Sequence, residues 1–569
     1  MAPTAIIEDE KEQPSTYRIL EKPFGTARPI RIIAIGAGAS GISIARNIKE
    51  HMKNVTLRIY EKNSAVGGTW LENQYPGCRC DIPSHNYQYS WEPNHRWSKY
   101  YSPQPEILEY FQTTARKHGL DSHVSFDHRV SEARWDESGG IWRFKVEDLQ
   151  TGETVEDWGH FFINASGFLN NWKWPSIPGL DSFNGQLVHS AAWSPEVDLK
   201  GKHVAVIGNG SSGIQIVTAI QPEVKKLTSF LRSPTWITAG FGSKYAAPGG
   251  VNFDFTEDEK ARFANDPSEY LMYRKGIEHE LCSRFKMQHA STPEQATAAE
   301  FSKEDMLQRL GSNKSVADFI IPDFPVGCRR PTPGTGYLEA LGEDNVQTIC
   351  GREIVRIEPG GLILDDGEEV ACDAIVCATG FDLSFVPRFP IVGRNGANLQ
   401  DVWTGKRPAA YLSMTPADMP NYFMFMGPNA PVAHGSAIPI LENATRYMLK
   451  MIYKAQVERY KAFCPKREAI DEFVEHADAL FPRTAWAGKC RSWFRNGNDS
   501  GPITGIYPGS RLHWFHALKE PRYEDWDWDT MGPNRWQYLG NGFSVTEEDG
   551  RDLSWHFDNP DKEYDSFIY

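Results

Sequence analysis

Short apolar runs that end in glycine recur along the chain, and each gives way to a different periodicity. The first, in PIRIIAIGAGASGISIARNIKE, passes from strand character into Gly36, Gly38 and Gly41 and then into helical spacing. A second apolar run, VTLRIY, leads directly to Glu61. Strand, helix and strand in that order predict a βαβ unit. The pattern returns in KHVAVIGNGSSGIQIVTAI, where Gly208, Gly210 and Gly213 stand between a strand and a helix, with KLTSFLR as the next strand. FFINASGF and DAIVCATGF read as strands entering small-residue turns, as found where a chain crosses between two nucleotide domains. From about residue 235 to 325 strand signals thin out, and EDEKARFANDPSEYLMYRKGIEHELCSRFKM reads as helix. This stretch is predicted to be a helical insertion that also lines the substrate entrance. Strands resume in NVQTICGREIVRIEPGGLILDDGEEVACDAIVCATGF, and CRSWFRNGNDSGPITGIYPGSRLHW is Gly-rich and aromatic without helical spacing.

Each glycine of the two turns has a physical task. Gly36 permits the tight turn, Gly38 lets the backbone approach a pyrophosphate, and Gly41 allows close helix–strand packing, with the helix N-terminus facing the anion. Glu61, twenty positions beyond Gly41, is placed to accept from ribose hydroxyls. Gly208, Gly210 and Gly213 repeat the arrangement, but Arg232 stands nineteen positions beyond Gly213 where the first unit has an acid. An arginine there suits the 2′-phosphate of NADP rather than the free hydroxyl of NAD. Ser40 on the first turn, and Asn209, Ser211, Ser212, Ile214, Gln215 and Ser233 on the second unit, are further candidate cofactor contacts. GGTW, from Gly67 to Trp70, follows Glu61 and points to FAD in the first site. The expected fold is α/β, with two Rossmann-like dinucleotide-binding domains for FAD and NADP and the helical insertion in the NADP domain. The boundaries read as a flexible tail over 1–25, the FAD domain over 26–180 and 385–569, and the NADP domain over 181–384.

Composition removes several classes. A chain of 569 residues is too long for one core. A formal charge of −14 disfavours a nucleic-acid or anionic-membrane partner, which would need a basic face. No run reaches the ~18–20 apolar residues of a membrane span. The short, acidic N-terminus reads as neither a secretory nor a transit signal, so a cytoplasmic protein is expected. The nine cysteines are scattered, without a CxxC pair, and support neither a disulfide framework nor a zinc site. Cys78 and Cys80 read as small loop residues, and no metal is expected.

Gly67, Gly68, Thr69 and Trp70, followed by Tyr75-Pro76-Gly77 and Asp81, resemble the flavin-side signature of the type I Baeyer–Villiger monooxygenases. Phe183-x-Gly185-xxx-His189-xxx-Trp193 resembles the second signature of that family, which lies between its FAD and NADP domains; Ser194 departs from the usual Pro or Asp. The resemblance covers nearly the whole chain after about residue 25. It implies an NADPH-dependent flavoprotein that activates dioxygen as a C4a-peroxyflavin and inserts oxygen beside a ketone carbonyl, giving an ester or lactone. Arg330 is then the cation at the flavin and Asp81 the residue that orients it. Arg329 replaces a usual lysine at the NADP 2′-phosphate. Gly68, Thr69, Trp70, Arg79, Cys80, Tyr87 and Val130 fall to FAD, and Trp493 to a mobile loop that closes over NADP. Phe183, Gly185, His189 and Trp193 become a hinge. An arginine suits the catalytic place because it keeps its proton. The alternatives are oxidation at sulfur or nitrogen and a non-catalytic redox sensor. Partners are a ketone and dioxygen, and a monomer is compatible with the sequence.

Overall fold

The computed structural model describes residues 17–557, so the tail reading for residues 1–16 lies outside them. The end of that supposed tail is not loose. The Phe24 N–H donates to the Phe543 carbonyl at 2.7 Å, and the Val545 N–H donates to the Phe24 carbonyl at 3.0 Å.

Two parallel five-stranded sheets carry the molecule. The first has the order Tyr422–Met424, Phe161–Asn164, Ile30–Ile35, Val55–Tyr60 and Val124–Ser125. The second has the order Val346–Cys350, Lys226–Leu231, His203–Ile207, Ala374–Cys377 and Gln186–His189. Central strands of both sheets are buried almost throughout, which is why they read as unbroken apolar runs. Helices Ala39–His51 and Ser211–Ile220 follow the two glycine turns, as the periodicity predicts. The first helix packs on Ala437–Val457, where Ser43 Oγ and Thr445 Oγ1 share a hydrogen bond of 3.0 Å.

The small-residue turns after Phe161–Asn164 and Ala374–Cys377 have a clear role. Gly36 has φ of +99°, and a Cβ there would lie 2.6 Å from the Ala165 carbonyl oxygen. Gly208 has φ of +117° and is closed in the same way by the Ala378 carbonyl. Each glycine turn therefore rests on the ASG or ATG turn of a neighbouring strand, and neither could carry a side chain. A mixed sheet not foreseen in the sequence flanks this frame. It holds Ile391–Val392, His128–Asp136, Ile141–Asp148 and Thr154–Gly159, the first pair parallel and the others antiparallel. In Ile141–Asp148 the inward Trp142, Phe144 and Val146 alternate with polar residues, the pattern of a half-buried strand.

The helical stretch forms Glu257–Asn265, Pro267–Ser283, Pro293–Leu310 and Lys314–Ile320. Thr256 and Glu259 close the first N-terminus as a reciprocal capping box, and Asp266 caps the second. The insertion docks on the segment after the flavin-side signature. The Tyr100 and Tyr101 hydroxyls donate to the carbonyls of Gly242 and Phe241, each at 2.7 Å, and His85 Nδ1 meets the Tyr270 hydroxyl at 2.7 Å. Aromatic packing against residues 85–101 draws it away from the central cavity. The wall of that cavity comes from other segments, and the insertion meets it where Phe241 faces Arg330.

Two other readings are corrected. Cys328 and Cys490 are not isolated thiols: both are buried and joined in a disulfide, with Cα atoms 6.3 Å apart and 162 residues between them in sequence. The remaining seven cysteines are free. Spacing could not reveal this pair, because the fold alone brings the two loops together. The segment RLHW, read as lacking helical spacing, opens the helix Arg511–Lys519. Its buried positions are Arg511, Trp514 and Leu518, and the charge at the first hides the apolar stripe. Arg511 is fully buried because it pairs with Glu278 of the insertion at 2.6 Å and donates to the Ser436 carbonyl.

Candidate active site

Both glycine turns open on one cavity of about 1880 Å³ between the two parallel sheets. That exceeds the ~300–1,000 Å³ of a single small-ligand pocket and leaves room for two dinucleotides. Neither following helix has a side-chain cap at its N-terminus, where Gly38 and Gly210 stand. Uncapped N–H groups and a glycine approach make each end an anion cradle. At the first cradle Gly38 meets the loop of the flavin-side signature: a Cβ on Gly68 would lie 2.8 Å from the Gly38 Cα. Gly68 itself has φ of +53°.

Gly36, Ser40, Glu61, Gly68, Thr69, Trp70, Arg79, Cys80, Asp81, Tyr87 and Val130 all line the cavity on the first side. Gly208, Asn209, Gly210, Ser211, Ser212, Gln215, Arg232, Ser233, Arg329, Arg330 and Trp493 line it on the second. Gly41, Gly213 and Ile214 do not. The two glycines press against the Gly36 and Gly208 carbonyls, and Ile214 is 1% exposed in the core with its N–H donating to Gly210. Ile214 is thus a packing residue of the helix, because its position turns inward while Gln215 turns to the cavity.

Glu61 is buried, and its carboxylate accepts from the N–H groups of Ala37 at 2.7 Å and Asn63 at 2.9 Å. Burial pushes its pKa up against the pull of those two bonds. It therefore braces the first glycine turn as well as facing the cavity. The Trp70 indole N–H donates to the Tyr87 hydroxyl at 3.1 Å. Gln215 ties the halves together, accepting from the Tyr75 hydroxyl at 2.9 Å and donating to the Arg79 carbonyl at 3.2 Å. Cys78 and Cys80 are buried free thiols. Burial pushes Cys78 up to about 11 and Cys80 further, so neither is a thiolate at neutral pH.

Arg330 and Asp81 meet across the cavity as a fork, Nη1 to Oδ2 at 2.5 Å and Nη2 to Oδ1 at 2.9 Å. The residues come from opposite sides of the molecule, 249 positions apart. The Arg330 guanidinium also sits 5.1 Å from the centre of the Phe241 ring, which belongs to the insertion. Burial works against its charge, but Asp81 outweighs burial and raises the pKa above the ordinary arginine value. Both carboxylate oxygens of Asp81 are engaged by Arg330.

The FxGxxxHxxxW segment stands behind the cavity rather than in it. Gln186–His189 is an edge strand of the second sheet, paired with Ala374–Cys377. Gly185 admits the Phe183 ring, which would lie 2.6 Å from a Cβ there. Trp193 packs, partly buried, on the main core. His189 is 1% exposed and stacks on Trp172 at 4.5 Å, with Trp174 edge-on at 5.7 Å. Its Nδ1 accepts from the Ala191 N–H at 3.1 Å, so Nε2 carries the proton and donates to Thr379 Oγ1 at 3.2 Å. Burial lowers its pKa to about 4, and the ring stays neutral at ordinary assay pH. Thr379 belongs to the ATG turn that supports Gly208, so His189 reaches the second cradle through one hydrogen bond. Trp172 and Trp174 were not singled out in the sequence, where two tryptophans in a loop carry no periodic signal. His189→Ala is expected to lose about 1–3 kcal/mol with its two hydrogen bonds, read as a lower melting temperature. If the segment also governs domain movement, stopped-flow records of FAD-loaded variant will show normal flavin reduction and slowed oxygenation. Normal rates in both phases would confine His189 to packing.

Two dinucleotide cradles opening on one cavity, with a fixed arginine–carboxylate pair between them, define a two-cofactor oxidoreductase. The family model for flavin-binding monooxygenase-like proteins matches residues 29–247. The FAD-binding monooxygenase tazF of Aspergillus terreus is 40% identical over 540 residues, covering 94% of this chain and 95% of that protein. A Baeyer–Villiger monooxygenase of Pseudomonas aeruginosa is 30% identical over 502 residues, covering 86% and 90%. Among solved structures, cyclohexanone monooxygenase from Rhodococcus sp. Phi1 bound to NADP+ matches with a TM-score of 0.76 at 26% identity, over 89% of this chain and 100% of that one. The chain belongs to the flavin-binding monooxygenases, the family that includes the Baeyer–Villiger enzymes. Among the described residues no helix is long and apolar enough to cross a membrane.

Proposed function

We propose that the protein is an NADPH-dependent Baeyer–Villiger monooxygenase that inserts one oxygen atom of dioxygen beside a ketone carbonyl, giving an ester or lactone. The observation that carries this reading is the Arg330–Asp81 fork in the common cavity. FAD would lie in the first cradle, held by Gly36, Gly38, Glu61 and the Gly68–Trp70 turn, and NADPH in the second, held by Gly208, Gly210, Arg232 and Arg329. Reduced by NADPH, FAD supplies the two-electron activation of dioxygen. Attack on a carbonyl requires an anionic oxygen nucleophile and produces a second anion on the carbonyl oxygen. Arg330 supplies a permanent positive charge for both, since it cannot lose its proton under the reaction conditions. Asp81 fixes the plane of the guanidinium and keeps it charged in a half-buried site. Its carboxylate is positioned to orient Arg330 rather than to move a proton.

Purified protein loaded with FAD is expected to consume NADPH and dioxygen faster when a ketone is present, with a product heavier by one oxygen atom. A panel of small cyclic, linear and polycyclic ketones, with thioethers alongside, tests this by product mass. Oxidation of thioethers without any ester or lactone would assign the protein to heteroatom oxidation instead.

A further inference from the structure

Three arginines that take part in no ion pair among the described residues line the second side of the cavity. Arg232 directly follows the strand Lys226–Leu231, Arg329 precedes Arg330, and Arg491 lies in the loop that carries Trp493. Arg329 reaches back to the Arg232 segment, its Nη1 lying 3.4 Å from the Pro234 carbonyl. Between them Asn209 donates to the Ser233 carbonyl at 2.8 Å, so this segment is joined to the second glycine turn. Desolvation and then Arg491 lower the pKa of Arg232, and desolvation and then Arg232 lower that of Arg329. Arg232 thus stands within reach of the charge of Arg491, and Arg329 within reach of that of Arg232.

The chain brings Arg491 to this place by a covalent route. Cys490 is bonded to Cys328, and these cysteines immediately precede Arg491 and Arg329. Both sulfurs are in buried residues, at 3% and 0% exposure. Gathering three guanidiniums without a carboxylate is unfavourable unless a multiply charged anion fills the space between them. A phosphate monoester is such an anion, with a charge of about −1.5 to −2 at pH 7 and three acceptor oxygens, and arginine matches it in bidentate geometry.

We propose that Arg491 is a third arginine for the 2′-phosphate of NADPH, and that the Cys328–Cys490 disulfide holds it beside Arg232 and Arg329. The inference rests on the reading that the second cradle takes NADPH. It makes the Trp493 loop part of cofactor discrimination, since Trp493 lies two residues beyond Arg491 and lines the same cavity. The sequence shows Arg491 only as one basic residue in a Gly-rich loop.

The test is equilibrium binding of NADP+ and NAD+ to the FAD-loaded protein, followed by flavin fluorescence or calorimetry, with melting curves for each variant. Arg491→Ala is expected to raise the Kd for NADP+ roughly 10- to 100-fold and leave that for NAD+ unchanged, and Arg491→Lys to restore part of the loss. Cys490→Ser should also weaken NADP+, and the double variant with Arg491→Ala should show no further loss, since both changes remove one contact. If Cys490→Ser does not fold, wild-type protein reduced with a phosphine serves in its place. Unreduced, unfolded wild-type protein should titrate seven thiols. Wild-type NADP+ affinity in Arg491→Ala, with affinity lost in Arg232→Ala, overturns the inference and leaves the cofactor reading standing. Equal wild-type affinity for NAD+ and NADP+ overturns the cofactor reading itself. Nine titratable thiols, or additive losses in the double variant, overturn the role of the disulfide.

Discussion

Arg330→Ala, loaded with FAD, is expected to bleach its flavin on mixing with NADPH at close to the normal rate while losing ester or lactone formation. Removing one preorganised donor to a developing oxyanion lowers rates on the order of 10²–10³. Here the loss should reach at least that range, because Arg330 is the side chain that forks onto Asp81 at this point of the cavity. Oxygen consumption should continue with release of hydrogen peroxide in place of product. Arg330→Lys keeps a charge but not the fork that meets both oxygens of Asp81, so it should recover only part of the activity. Stopped-flow absorbance at the flavin band, together with product and peroxide yields, separates these outcomes. Ketone oxygenation at the wild-type rate in Arg330→Ala would remove the arginine from the reaction.

Arg232→Ala should change the choice of cofactor more than the chemistry. A charge-assisted contact contributes about 1.5–3 kcal/mol, which corresponds to a ~10–100-fold rise in the Michaelis constant for NADPH. The constant for NADH, which lacks the 2′-phosphate, should stay near its wild-type value, and kcat should change little. Arg232 stands just past its strand end, takes part in no ion pair among the described residues and lines the cavity, so its removal leaves no charged partner behind. Equal effects on the two cofactors would show it to be an ordinary surface charge.

The two predictions differ in how far they could be read without a fold. Arg232 was legible from position alone, because the strand–helix–strand spacing fixes which residue follows the second strand. The meeting of Arg330 with Asp81 was legible only through resemblance to a family, since neither residue has a local pattern that points to the other. Tertiary structure supplies the distances, and with them the reason that Arg330 stays charged. The docking of the helical insertion was hidden for a related reason. Its helices were visible in the periodicity, but their destination depends on Tyr100, Tyr101 and His85, aromatic contacts that spacing does not announce. Arg511 shows the same limit, because a charge pointing into the core through Glu278 breaks the apolar stripe of its helix.

What the sequence by itself determined are the features set by neighbours along the chain. These are the two βαβ units, the glycines whose backbones must bend at +99° and +117°, the acid after one second strand and the arginine at the end of the other. Local sterics and short hydrogen bonds decide them, so they leave a period or a fixed offset. Only the tertiary structure decided which distant groups share a space: Arg330 with Asp81, His189 with Thr379 and Trp172, Cys328 with Cys490, and Arg232, Arg329 and Arg491 on one side of the cavity. Those pairings arise from the packing of two sheets and their connecting loops, where contact is set by position in space and leaves no regular interval in the chain.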